Sequence, residues 1–159
     1  MMDRHHESEE YAFLTLYSRD LGEAMRAATL VRRRLTRELR GIIFRHLVVA
    51  YTRPFSGNRG TTKRRHRLQE GYVPVGGRAL HDRLVLLRNC YFAHTDQAAY
   101  SPELLPFPQA RGRRSLMVML SYPPEEQLLR SLPEIVHLIG AVMEGVEAER
   151  KRIEKLLVA

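Results

Sequence analysis

SLPEIVHLIGAVMEGVEAERKRIEKLLV, residues 131–158, is the stretch that decides the fold. Leu132, Ile135, Ile139, Val142, Val146, Ile153 and Leu156 fall on a three-and-four spacing that Leu128 extends upstream, with Glu149 the one interruption. Residues so spaced share one stripe of an α-helix. Ser131 and Glu134 predict a capping box at its start, and Pro133 is tolerated in a first turn. So long a stripe suits the core face of a bundle or the seam of a helix-helix dimer. The core is the better reading for Ile135 to Val146, and the end is open to either.

The same period recurs upstream. From Glu10, the residues Leu14, Tyr17, Leu21, Met25 and Ala28 predict a helix running to about Leu35. A second helix carries Leu39, Ile43, Leu47, Ala50 and Tyr51 on one side and stops at TRPFSG (52–57), where Pro54 and Gly57 break it. The two helices are either continuous or broken near Leu35 to Glu38. A third begins near Gly77 or Arg78, buries Leu80, Leu84, Leu87 and Tyr91, and should end near His94 or Thr95. Pro102, Pro106 and Pro108 then mark an irregular stretch. LMVML (116–120) predicts a short buried strand, paired with residues around 103–107 in a small hairpin and ended by Pro123 and Pro124. The expected fold is all-α: an up-and-down bundle of four or five helices with a long basic loop and a small β-hairpin insert, in a single domain over 1–159.

That loop is SGNRGTTKRRHRLQEGYVPVGG, residues 56–77, with glycines at both ends and a basic middle. Loops of this length in a compact domain are uncommon and often functional or disordered. It belongs to a wider basic segment. Between Val31 and Gln69 there are twelve arginines and lysines against Glu38 alone, while the whole chain carries +8, so the remainder is mildly acidic. Concentrated arginine points to an anionic partner, nucleic acid before membrane, because the guanidinium fork matches phosphate. The plainer alternative is a solvated surface.

Composition narrows the classes further. With 159 residues, 44% of them apolar, the chain is long enough for one domain with a core. The N-terminal MMDRHHESEE is polar, unlike a signal peptide, and no apolar run approaches a membrane span. The single cysteine, Cys90, leaves no internal disulfide and no zinc cluster. A cytoplasmic protein without metal or cofactor is expected.

The chemistry-bearing stretch is LLRNCYFAHTD, residues 86–96. Arg and His separated by four to six residues occur four times: Arg40 with His46, Arg59 with His66, Arg88 with His94, and Arg130 with His137. Spacing alone therefore selects nothing. Context favours Arg88 and His94, because Asn89 follows the arginine and the histidine stands at a helix end beside Thr95 and Asp96. On a straight helix, six residues turn about 600°, so the two side chains would point about 120° apart. Convergence needs a distorted helix or two chains meeting about a two-fold axis. His81 and Arg88, seven apart, share a face, and His81 is either a site neighbour or, by preference, a helix contact. Taken alone, these residues favour a helix-end arginine paired with Asp82 or Asp96 and an exposed histidine.

LHDRLVLLRNCYFAHTD (80–96) resembles the HEPN superfamily, the higher eukaryotes and prokaryotes nucleotide-binding domain. Its ribonuclease members carry Arg, a polar residue, then His near the end of a helix. The Arg-Asn to Ala-His-x-Asp form looks like the abortive-infection and toxin-like branch, and AYTRPFSGNRG (50–60) is similar to a segment of that branch. The strand at 116–120 is not a core feature of that superfamily and would be an insertion.

The resemblance implies a metal-independent endoribonuclease acting as a homodimer, a bacterial toxin or phage-defence effector. The 2′-hydroxyl of RNA is the nucleophile. His94 would be the acid/base, Arg88 the phosphate clamp and Asn89 an orienting group. Asp96 would cap the helix end. Arg53, Arg59, Lys63, Arg64, Arg65 and Arg67 would hold the RNA backbone without reading sequence. Two alternatives stand beside it. One is a non-catalytic HEPN module that dimerises or binds a cognate antitoxin. The other is a basic nucleic-acid-binding protein without chemistry, although the chain lacks Trp and aromatics are 8%.

Overall fold

The computed structural model describes residues 4–60, 65–92, 100–108, 114–120 and 125–158. Among them five helices dominate: α1 (Arg4–Val31), α2 (Arg37–Thr52), α3 (Arg78–Leu87), α4 (Glu125–Arg130) and α5 (Leu132–Val158). Two antiparallel ribbons accompany them: β1 (Asn58–Arg59) with β2 (Arg65–His66), and β3 (Glu103–Pro108) with β4 (Arg114–Met119). The mostly helical fold and the small hairpin agree with the sequence reading.

The choice between one long helix and two resolves as a break. α1 ends at Val31, short of Leu35. Thr36 is extended, with φ −62° and ψ 159°, and its hydroxyl accepts from the Leu39 N–H at 3.3 Å. This N-cap satisfies a donor that a starting helix leaves orphaned. Glu38, in that first turn, has its carboxyl held below the usual range by its own backbone N–H and by Thr36.

α1 packs along both α2 and α5. Leu14, Tyr17, Leu21 and Ala28 are buried there as the periodicity predicts, with Ala24 and Ala27 beside them. α2 turns inward through Phe44, Leu47, Val48 and Tyr51, whereas Leu39, placed on the core side by its spacing, is 44% exposed. α5 buries Leu132, Ile135, Leu138, Ile139, Val142, Val146 and Ile153. Ile153 carries the core to the last turns, but Leu156 lies on the surface, so the stripe ends one step early.

The predicted capping box at Ser131 is instead a joint between helices. The Ser131 N–H donates to the Leu128 carbonyl at 3.0 Å, and its own carbonyl accepts from the Ile135 N–H at 2.9 Å. α4 supplies the carbonyls that a free helix start lacks.

The hairpin is not buried. Leu104 faces Val118 and Leu105 faces Met117 in its register. Leu104, Leu116, Met117, Val118, Met119 and Leu120 are all exposed. An apolar run identifies a strand but not what covers it, and a two-stranded ribbon brings no layer of its own.

Candidate active site

The second half of α2, the 3₁₀ turn Arg53–Phe55 and α3 converge on one small cavity. Pro54 ends α2 because its ring permits no further helical hydrogen bond. The Leu68 N–H donates to the Pro54 carbonyl at 2.8 Å, which pins the basic segment over that turn. The cavity beneath has a volume of about 290 Å³. Its walls include Thr52, Phe55, Arg67, His81, Arg88 and Asn89.

α3 is a regular helix as far as Leu87, and Arg88–Phe92 then form a π turn. Single π turns inside helices are rare and concentrate at functional sites. The distortion begins at Arg88, ahead of His94. His94, Thr95 and Asp96 lie outside the described residues. The Arg88 guanidinium donates from Nη1 to the Asn89 Oδ1 at 2.8 Å. Its Nε is buried without a hydrogen-bond partner. An unmet buried guanidinium donor is costly.

His81 stands two turns before Arg88, lines the same cavity and is 5% exposed. Its Nδ1 lies 2.9 Å from the Tyr51 hydroxyl, and Phe55 meets its ring edge-on at 4.5 Å. Burial pushes the imidazole pKa below the ordinary histidine value, with Asp82 and Glu70 opposing. Burial also raises the Tyr51 hydroxyl pKa. Both groups are thereby kept neutral, and the pair forms a hydrogen-bonded unit at the cavity wall. The Tyr51–His81 pair was not legible as a site; only the seven-residue interval to Arg88 hinted at a shared face.

The other expected substrate contacts fall in three groups. Arg53 is engaged inward: its Nη1 lies 2.8 Å from Asp20 Oδ1 and 3.8 Å from Glu23 Oε2, with the Asp20 side chain 8% exposed. Arg59, Arg65 and Arg67 are exposed. Arg59 opposes Arg65 directly in the β1–β2 register, an arrangement of like charges that an anion between them would relieve. Lys63 and Arg64 lie outside the described residues. Of the four that are described, Arg67 alone lines the Arg88 cavity, and it also lines a second cavity beside α1.

The rival Arg–His pairs sit in other settings, Arg59 and His66 as diagonal neighbours in the β1–β2 ribbon. His46 and His137 are exposed on helices, and His66 is engaged with Glu9 at 3.3 Å. Among the described residues, no group of three or more His, Cys, Asp or Glu is arranged to hold a metal ion. No helix is long and apolar enough to cross a membrane among those residues. Comparison of the chain with protein-family models, with curated proteins and with solved structures returned no match.

Proposed function

We propose that the chain is a metal-independent endoribonuclease of the HEPN type, a toxin or defence effector that cleaves RNA at the Arg88 cavity. One observation carries this reading: Arg88, held at one arm by Asn89, lines a cavity that Arg67 also lines. A phosphodiester bound there draws on both guanidinium groups. Asn89 holds one arm of Arg88 at 2.8 Å, which leaves the rest of the fork for the phosphate.

In the reaction the ribose 2′-hydroxyl attacks the adjacent phosphorus, and the 5′-oxygen leaves. Arg88 stabilises the charge that develops on the non-bridging oxygens. His94 moves the proton, as base toward the 2′-hydroxyl or as acid toward the leaving oxygen. A homodimer brings a second Arg88 and His94 to the same cleft. RNA is the substrate, and a cognate antitoxin is the natural regulator of such an activity.

The test is incubation of total RNA and of tRNA with protein in excess EDTA, beside His94→Ala and Arg88→Ala. Cleavage by the wild type alone supports the reading. Cleavage that survives both substitutions, or that stops in EDTA, removes it.

A second reading is a non-catalytic module that binds a partner, and the exposed β3–β4 hairpin favours it. Folded protein that dimerises, binds no RNA and cleaves none would select that alternative.

A further inference from the structure

A larger cavity, about 560 Å³, lies between the first half of α1 and the segment carrying β2. His6, Glu10, Phe13, Tyr17, Arg65 and Tyr72 are among the residues lining it, and Gly57, Arg67 and Leu68 form a wall common to it and the Arg88 cavity. Its volume falls within the range of small-ligand pockets.

Three features of its lining point to a nucleobase. First, it is aromatic: Phe13 stacks on His66 with centroids 4.1 Å apart and 13° between planes, Tyr17 tilts against Phe13 at 5.8 Å, and Tyr72 closes another side. Second, it carries charge of both signs: Glu10 comes from α1, and the exposed Arg65 and Arg67 come from the segment carrying β2. A nucleotide can meet both, with the phosphate at the arginines and the base toward the carboxylate. Third, the Tyr17 hydroxyl is buried without a hydrogen-bond partner, in a residue only 5% exposed. Asn58 is near enough to affect its pKa, but the contact falls short of hydrogen-bond geometry.

Glu10 and Tyr17 are seven residues apart on α1 and share a face. Both side chains line the cavity, so one bound group can meet the two of them. A carboxylate accepts two hydrogen bonds side by side, and a phenol donates one. Guanine alone among the four bases presents two adjacent donors, N1–H and the 2-amino group, beside an acceptor, O6.

We propose that this cavity is a base subsite that takes guanine from a single-stranded segment of RNA, with that nucleotide's phosphate at Arg65 and Arg67. The proposal rests on the ribonuclease reading of the adjoining cleft and names the substrate feature it selects. Single-stranded bases splayed onto aromatic side chains and read on their Watson–Crick edges are the usual targets of sequence-specific RNA recognition.

The test uses 2′-O-methyl pentanucleotides, which cannot be cleaved by 2′-hydroxyl attack: UUGUU, UUAUU, UUCUU and UUUUU. Wild-type protein should bind UUGUU about tenfold more tightly than the others, the discrimination that a two-hydrogen-bond base contact supplies. Glu10→Gln and Tyr17→Phe should erase that preference without changing UUUUU binding, and with circular dichroism as for the wild type. Equal binding of all four, or a preference that survives both substitutions, overturns the subsite. Cleavage of unmodified RNA is scored separately. Cleavage without a guanine preference discards the subsite and keeps the ribonuclease. Guanine-selective binding without cleavage discards the ribonuclease and keeps the subsite.

Discussion

The Tyr51 hydroxyl and the His81 Nδ1 lie 2.9 Å apart, with both side chains buried between α2 and α3. The contact joins residues 30 apart in sequence and fixes one wall of the Arg88 cavity. Tyr51→Phe leaves the imidazole nitrogen buried without its partner. The expected loss is about 1–3 kcal/mol, the cost of an unmet buried polar group. Urea denaturation measures it as a lower midpoint with an unchanged slope.

The same pair sets a pH dependence. Burial depresses the His81 pKa below the ordinary value of 6.5 in the folded protein. The unfolded chain therefore takes up a proton at His81 first as pH falls, and folding opposes that uptake. Stability should decline as pH drops from about 6.5 toward the depressed folded value, then level off with respect to this residue. His81→Gln should flatten that part of the stability profile, measured by denaturation between pH 7.5 and 5.

Arg53 and Arg67 should separate fold from binding. Arg53→Ala removes the closer partner of the Asp20 carboxylate, 8% exposed, leaving Arg19 at 3.7 Å, and should cost about 1–3 kcal/mol. It should leave the salt dependence of RNA binding unaltered. Arg67→Ala should leave the melting temperature within about 2 °C. It should lower the slope of log K against log salt by about one. The reverse pattern would put Arg53 on the RNA.

Gly77 marks the close approach of α3 to α5. A Cβ there would lie 2.8 Å from Leu138 Cδ1, and Leu138 is 2% exposed. Gly77→Ala should destabilise by about 1–3 kcal/mol through overpacking. Gly76→Ala meets nothing within 4 Å and serves as the near-neutral control.

The helices were legible because burial writes a period into the sequence. The α5 stripe followed from it, while the halt of α2 before Pro54 was marked by proline and glycine. Thr36 could have settled the break between α1 and α2, since a hydroxyl ahead of Glu38 is a capping signal, but the apolar period runs through it without a gap. The hairpin's exposure was not legible, because an apolar strand reads alike on a covered and an uncovered face. Arg88 and Asn89 were named from their order in the chain, and both line one cavity. His81 was read by preference as a helix contact, and it is one, although its partner Tyr51 on α2 is brought to it by tertiary packing alone. Arg53 looked like any other member of a basic segment, and only the fold reveals Asp20 beside it.

The central claim is that the Arg88 guanidinium holds an RNA phosphate during cleavage, and single-turnover cleavage of a tRNA in excess EDTA tests it most directly. Arg88→Ala should slow the step about 10²- to 10³-fold, the effect of removing one donor aimed at developing charge, with Arg88→Lys recovering only part of it. Rates for Arg88→Ala equal to the wild type would contradict the account.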